Sequence, residues 1–230
     1  MLRDDSLRLS QVASHGHMAP PEASRHLTWL TAQGLLQRHP DGTFRLTGYG
    51  LLIAEGVASF EGLRSRQEFL RTHDLTVLPR EFVSRLYELS GTAVGSNFSD
   101  SLRHVEMVLG EAREFAWFLS DQAILTPEIL LGSMRKSRVS VRVLLQSSVL
   151  PPFGRRVTPI PRDIPLEVRV LPEVGLGLAL NEKIAGVCFA GLPGPIDYAS
   201  GFQGSSAGFR TWCEDLFNHC WKRGRTIRVW

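Results

Sequence analysis

Ala19-Pro20-Pro21-Glu22-Ala23-Ser24-Arg25-His26-Leu27-Thr28-Trp29-Leu30-Thr31-Ala32-Gln33-Gly34, with Leu35-Leu36-Gln37-Arg38 and Thr43-Phe44-Arg45-Leu46 after it, sets the architecture of the N-terminal region. The two prolines suit a helix's first turn, where a missing N–H costs nothing. Ala23, Leu27 and Leu30 recur at helical spacing, and Gly34 ends the run. The two short runs that follow are β-compatible and flank Pro40-Asp41-Gly42, a strong hairpin signal. One short amphipathic helix running straight into a basic hairpin is the pattern of a recognition helix and its wing.

Successive helical residues turn by about 100°, so Ala23, Leu27, Leu30 and Gly34 share one side while Arg25, Trp29 and Ala32 face the other, with Glu22 and Thr28 beside them. Arg25 then faces whatever the helix docks against. It also lies early in the helix, where recognition helices reach base edges and an arginine pairs bidentately with guanine. The candidate contacts to double-stranded DNA are Glu22, Ser24, Arg25, His26 and Thr28 on the helix, and Arg38, His39 and Arg45 on the hairpin, where they suit phosphates. The competing reading is a solvated helix with ordinary surface charge. Trp29 is expected to pack as an aromatic rather than to meet a base.

Upstream, Leu7, Leu9, Val12 and Ala13 predict one short positioning helix ahead of His15-Gly16-His17. Six residues precede it, too few for the further helix a winged helix normally carries. Either the start is truncated or the domain borrows packing from elsewhere.

The 230 residues allow one large or two modest domains, and 43% hydrophobic content supports real cores. No apolar run is long enough to span a membrane, and Met1-Leu2-Arg3-Asp4-Asp5 lacks a signal-peptide core, so the expected location is the cytoplasm. Cys188, Cys213 and Cys220 are too few and too scattered for a disulfide framework. Cys213, His219 and Cys220 lack a fourth ligand at any finger spacing, so buried thiols are expected, with no metal and no other cofactor. The net charge of +3 is small. Residues 1–60 balance five arginines against five acids, while Lys222, Arg223, Arg225 and Arg228 gather at the C-terminus. Affinity for nucleic acid would then rest on local patches rather than on a basic domain.

Three regions are expected: a winged helix-turn-helix over 1–50, a helical linker and dimerisation region over 51–95, and an α/β domain over 96–230. In the linker, Ile53, Val57, Phe60 and Leu63 recur at three and four residues along a helix from Leu51 to Thr72. That stripe needs a cover, either a second copy or the chain's own second domain. A further helix is predicted from Pro79 to Ser90-Gly91, carrying Phe82, Leu86 and Leu89. In the last region a helix capped at Ser99-Asp100 precedes strands at Phe115–Leu119, Val139–Leu145, Leu166–Leu171, Gly177–Leu180 and Ile184–Ala190, with a helix from Pro127 to about Arg135 between the first two. A closing helix carries Phe209, Trp212, Cys213, Leu216, Phe217, Cys220 and Trp221 on one side. The fold class is α/β, α+β over the whole chain, with a sheet covered on both faces.

Leu46-Thr47-Gly48-Tyr49-Gly50, a helix, and then His73-Asp74-Leu75-Thr76-Val77-Leu78-Pro79 resemble the H-D-L-S-x-I-P junction of archaeal winged-helix regulators of the methanogen filamentation-regulator (FilR) type. The resemblance extends through most of the chain and implies a transcription regulator whose second domain senses a signal. That second half resembles the phospholipase D-like fold that sugar-responsive archaeal regulators use as a sensor. In enzymes of that fold a histidine of H-x-K-x-x-x-x-D attacks phosphorus and the lysine steadies the phosphate. The matching segment here supplies Asn181, Lys183 and Cys188. An amide forms no phosphohistidine, so the resemblance implies a non-catalytic sensor. Ile196–Phe202 is read as a connection ahead of the closing helix and resembles the corresponding stretch of these regulators. His73, Asp74, Lys183, Asp197 and Tyr198 are the candidate effector contacts, with His73-Asp74 alternatively a brace for the junction and Lys183 a surface residue.

Gly191-Leu192-Pro193-Gly194-Pro195 is turn-rich without the lysine-serine pair of a phosphate loop, and no G-x-S-x-G elbow is present. The sequence thus points to a cytoplasmic, homodimeric, DNA-binding regulator responding to a small effector, and not to an enzyme. A phosphodiesterase and a protein–protein adaptor are the alternatives.

Overall fold

Leu7 does not begin a helix: it pairs with Phe44, making β1 (Leu7–Arg8) the first element. The Arg8 N–H donates to Gln11 Oε1 at 2.8 Å, which starts α1 (Leu9–His15) only after it. The turn after α1 leads into α2 (Pro20–Ala32). The hairpin β2 (Leu36–Arg38) and β3 (Thr43–Leu46) follows, and the three strands form one sheet in the order β1-β3-β2. Gly34 (φ 73°) leaves α2 and Gly42 (φ 81°) leaves the hairpin turn in left-handed conformations. Leu27, Leu36 and Phe44 are the buried centre, with Leu9, Val12, Leu30 and Leu46 packed against them.

Thr47 Oγ1 donates to the Gly34 carbonyl at 2.6 Å and accepts the Gly50 N–H at 2.9 Å, which pins the start of α3 (Gly48–Arg64) to the turn after α2. A Cβ at Gly50 would lie 2.0 Å from the Leu35 carbonyl oxygen, so only glycine permits this approach. The helix expected from Leu51 to Thr72 is two helices. α3 ends at Arg64, and α4 (Gln67–Thr72) starts after Arg66, whose N–H turns back to Leu63.

The computed structural model describes residues 6–64, 66–89, 92–95, 97–122, 139–149 and 165–227. The chain separates into two units, residues 1–61 and 62–230, a division that falls within α3. The helix expected between Pro127 and Arg135 lies outside the described residues.

The second unit continues with β4 (His73–Asp74), α5 (Arg80–Val83), a 3-10 turn at Leu86–Leu89, β5 (Ala93–Val94) and α6 (Phe98–Glu111). Then come β6 (Phe115–Ser120), β7 (Ser140–Gln146), β8 (Leu166–Leu171), β9 (Leu176–Asn181), β10 (Ala185–Gly191), β11 (Ile196–Gly204), α7 (Ala207–Arg223) and β12 (Arg225–Ile227). The described strands form a sheet in the order β12-β8-β7-β6-β9-β10-β11-β5, with β4 against β10. β6, β7 and β8 run parallel, and β9 is antiparallel to β6.

Period-two alternation explains the two cores. Ala116, Phe118, Val141, Val143 and Leu145 join Val108 and Leu109 of α6 on one face. Trp117, Leu119, Leu144, Leu178 and Leu180 join Phe209, Trp212 and Phe217 of α7 on the other. Burying each such large side chain contributes about 1.5–3 kcal/mol.

Several expectations are corrected. Pro79 caps α5 from outside, and that helix stops at Val83, because Phe82 and Leu89 are drawn separately into the core under α7. Asn97, not Ser99, caps α6, its side chain accepting the Asp100 N–H at 3.0 Å. Ile196–Gly204 is a strand paired with β10 rather than a connection. Residues 62–95, placed by sequence in a linker, supply strands and buried side chains such as Phe69 and Leu78 to the second unit.

Candidate functional site

In the first unit, α2 buries Ala23 and Leu27 and turns Glu22, Ser24, Arg25, His26 and Thr28 outward. His26 Nε2 lies 3.8 Å from Glu22 Oε1, and Thr28 Oγ1 donates to the Ser24 carbonyl at 2.8 Å, so these polar neighbours are partly tied to their own helix. Trp29 is 59% exposed on the same face as Arg25, against the expectation that it would pack. The helical wheel already put the two together; the aromatic's usual preference for the interior hid it.

The hairpin carries Arg38 and Arg45 exposed and His39 half-buried. The Arg38 guanidinium sits 5.7 Å from the Phe44 ring centroid. The turn is closed by the Gly42 N–H to the His39 carbonyl at 3.0 Å. Asp41 Oδ1 receives the Thr43 hydroxyl at 2.7 Å and the Thr43 N–H at 3.0 Å, and these bonds hold the carboxyl below its usual range. A rigid turn therefore presents the two arginines.

In the second unit, the five candidate effector residues separate into two groups. His73, Asp74, Asp197 and Tyr198 lie toward the carboxyl end of β6, because β10 pairs with β4 at Ala190–Gly191 and with the start of β11. Lys183 sits in the β9–β10 turn, at the opposite end, where Asn181 pairs with Ala116. Its Nζ donates to the Glu111 carbonyl at 2.8 Å. Asn181 is buried and donates to the Val108 carbonyl while accepting the N–H groups of Lys183 and Ile184. Its amide is thus committed to the turn.

His73 is stacked on Phe69, its Nδ1 is 2.9 Å from the Phe69 carbonyl, and its Nε2 is 3.3 Å from Asp197 Oδ2. Asp74 Oδ1 accepts the hydroxyl and N–H of Thr76, which lowers its carboxyl's proton affinity. Those contacts fix the chain's path through the His73-Asp74-Leu75 junction.

Tyr198 belongs to a different cluster. Its hydroxyl donates to Asp121 Oδ1 at 2.7 Å and lies 2.8 Å from Ser120 Oγ, which accepts the Gln122 N–H at 3.0 Å. Burial pushes the phenol above its ordinary value, and the Asp121 carboxylate adds to the effect against the opposing bond from Ser120. Tyr198 lines a cavity of about 60 Å³ between α6 and the sheet, the one member of the five to do so. Phe118, Val143, Leu145 and Val187 form apolar walls. His104 and Cys188 also face it. Burial keeps His104 below its ordinary value despite the Ala179 carbonyl 3.2 Å from its Nε2, and pushes the Cys188 thiol up to about 12. Ser120, Asp121 and His104 escaped sequence reasoning, since no motif marks them. The only signal is that Ser120-Asp121 ends a hydrophobic strand at its carboxyl edge.

Cys213 is buried and its thiol is raised by that burial, while His219 Nδ1 is 3.4 Å from Glu81 Oε1. Among the described residues no group of three or more His, Cys, Asp or Glu side chains is placed to hold a metal ion, and no helix is long and apolar enough to cross a membrane.

No family model and no curated protein sequence matches the chain. Among solved structures it is similar to TrmBL2, described as an archaeal chromatin protein with a novel mode of DNA binding, at 14% identity over 97% of this chain and 89% of that one, with a TM-score of 0.50. It is also similar to the riboflavin-analogue dimethyltransferase RosA of Streptomyces davawensis, at 13% identity over 74% of this chain and 58% of that one, with a TM-score of 0.24. An O-methyltransferase family protein of Burkholderia thailandensis aligns at 15% identity over 75% and 56%, also with a TM-score of 0.24. At those scores the methyltransferase likenesses carry no argument. The first likeness shows a mixed α/β fold shared along nearly the whole chain.

Proposed function

We propose that this protein is a DNA-binding transcription regulator of the archaeal winged-helix kind. Its first unit is a winged helix-turn-helix: α1 and α2 form the helical pair, α2 enters the major groove, and the β2–β3 hairpin is the wing. The observation that carries this reading is the outward face of α2, where Arg25 and Trp29 stand exposed beside a rigid hairpin bearing Arg38 and Arg45. Trp29, exposed beside Arg25, is available to the same docking contact. The DNA binding of TrmBL2, whose fold this chain shares, agrees with it. The second unit then serves as a non-catalytic sensor of a small effector, and two copies of the chain read two half-sites in the cytoplasm.

Against a phosphodiesterase stands Asn181, whose amide occupies the nucleophile's place in the motif and is spent on three backbone groups. The test is quantitative binding to genomic fragments selected by the wild type. Arg25→Ala should lower specific affinity by about 1–3 kcal/mol, while Arg45→Ala should weaken binding to all sequences and reduce the salt dependence by about one unit. If neither substitution changes binding, α2 is not a recognition helix.

A further inference from the structure

We propose that the cavity under α6 binds a small neutral molecule carrying a hydrogen-bond donor on a short apolar body, an alcohol; only the name effector for that molecule rests on the regulator reading. Its place in the fold is the first reason. The cavity is bounded by Ser120 and Leu145 at the carboxyl ends of the parallel strands β6 and β7. Ligands of open α/β sheets gather at that end of the strands, and this cavity reaches it from beneath α6, past Phe118, Val143 and Ala179.

The direction of the hydrogen bonds is the second reason, and it fixes the chemistry. A carboxylate only accepts, so Tyr198 must donate its proton to Asp121. The Tyr198 oxygen therefore accepts from Ser120, and Ser120 in turn accepts from the Gln122 N–H. Every proton in this chain is spent within it, and what remains on Tyr198 and Ser120 is lone pairs. Elsewhere on the wall, Ser101 donates its hydroxyl to the Tyr198 carbonyl at 2.6 Å. His104, neutral in its buried position, donates from Nε2 to the Ala179 carbonyl and keeps an accepting Nδ1. The exposed Gln122 amide and the half-buried Gln203 amide offer either role. The Cys188 thiol, kept protonated by burial, is bonded to the Ser101 hydroxyl, whose own proton goes to the Tyr198 carbonyl, so the thiol proton is spent as well. The buried polar atoms thus call for a donor, and a carboxylate ligand would bring none while meeting the charge of Asp121.

Size is the third reason. Gly177 and Gly186 leave the sheet without side chains beneath α6: a Cβ at Gly186 would come within 2.6 Å of His104 Nε2, and one at Gly177 within 2.9 Å of Tyr198 Cε1. The volume of about 60 Å³ is well under the roughly 150 Å³ of an apolar cavity that admits benzene, so the enclosed part of the ligand is a short chain rather than a ring. Phe98 and Leu102, both exposed, mark the side on which the cavity meets solvent and a longer tail would leave.

The full-length protein should be titrated with three probes of matched body, butan-1-ol, butan-1-amine and butanoate, while the methyl signals of Val143, Leu145 and Val187 are followed by NMR. Butan-1-ol should shift these signals saturably, butanoate should bind at least tenfold more weakly, and the ammonium should bind no better than the alcohol, because its charge loses water. Leu102→Trp, a change at an exposed position on α6 whose fold the same methyl spectrum checks, should cover the opening and weaken the alcohol at least tenfold. Tyr198→Phe should weaken it several-fold. Non-saturable shifts, equal binding of butanoate, tighter binding of the ammonium, or an unaffected Leu102→Trp protein would each overturn the proposal. DNA binding is not read in this titration, so its outcome stands apart from that of the Arg25 and Arg45 variants.

Discussion

His104 shows how one residue links packing to solution behaviour. It is buried on the sheet-facing side of α6 and makes its Nε2 bond to Ala179, and burial depresses its proton affinity below the ordinary 6.5. Unfolding releases an imidazole that protonates near that value, so below it the unfolded chain binds more protons than the folded one. Stability is therefore complete above about pH 6.5 and falls as the pH drops toward the folded value, by at most about 1.4 kcal/mol per pH unit for a single group. Urea titrations at pH 7.5 and 5.5 should show a smaller pH-dependent loss for His104→Gln than for the wild type. Parallel losses in the two proteins would mean that the acid sensitivity comes from other groups. Asn181 makes the complementary point: its amide is committed to the Val108 carbonyl and to the Lys183 and Ile184 N–H groups, a role that its place in the sequence does not show.

At the scale of elements, α3 is the anomaly. Its seventeen residues include Leu52 and Phe60 at 73% exposure and Val57 at 52%, whereas α6 and α7 each bury an apolar face. A helix with such a stripe gains by covering it, and a second copy of the chain is the cover proposed here. Val57→Glu would put a charge in that contact, where it must find water or be buried at considerable cost. Sedimentation at micromolar concentration should show a dimer for the wild type and a folded monomer for the variant. A monomeric wild type, or a variant that remains a dimer, would remove α3 from the interface. The break after Arg64 also belongs to this scale. Arg66 lies over the Phe202 ring at 5.4 Å and bonds to Thr92, contacts that draw the chain into the second unit just where a continuous helix was expected.

For the whole molecule, the proposed regulation requires a coupling free energy between the unit proposed to bind DNA and the unit proposed to sense an effector. A ligand that binds the folded state alone raises stability by about 2.7 kcal/mol at a hundredfold excess over Kd. A metabolite library screened by thermal shift on the full chain should yield such a ligand. The same ligand must then change operator affinity, by about 5- to 150-fold for a coupling of ordinary size, and the operator must change ligand affinity by the same factor. Fluorescence anisotropy of a labelled operator with and without the ligand measures it. Stabilisation with unchanged operator affinity would leave the second unit a binding domain without regulatory coupling.

Local pattern determined much of this protein. The prolines and Gly34 bounded α2, the Asp41-Gly42 pair marked the hairpin, and uninterrupted apolar runs such as Phe115–Leu119 marked strands buried on both faces, because each of these signals arises within a few residues. The outward face of α2 was legible for the same reason. Tertiary structure alone decided the rest. β1, β4, β5 and β12 span two or three residues each, too short to show a period, and exist because a neighbouring strand supplies their partners. β11 was hidden by its two glycines and its polar residues, which pairing with β10 accommodates. The cavity under α6 joins Ser120-Asp121 to Tyr198 across more than seventy residues. Sequence spacing carries no trace of such a meeting, since it is the strand order of the sheet that brings the groups together.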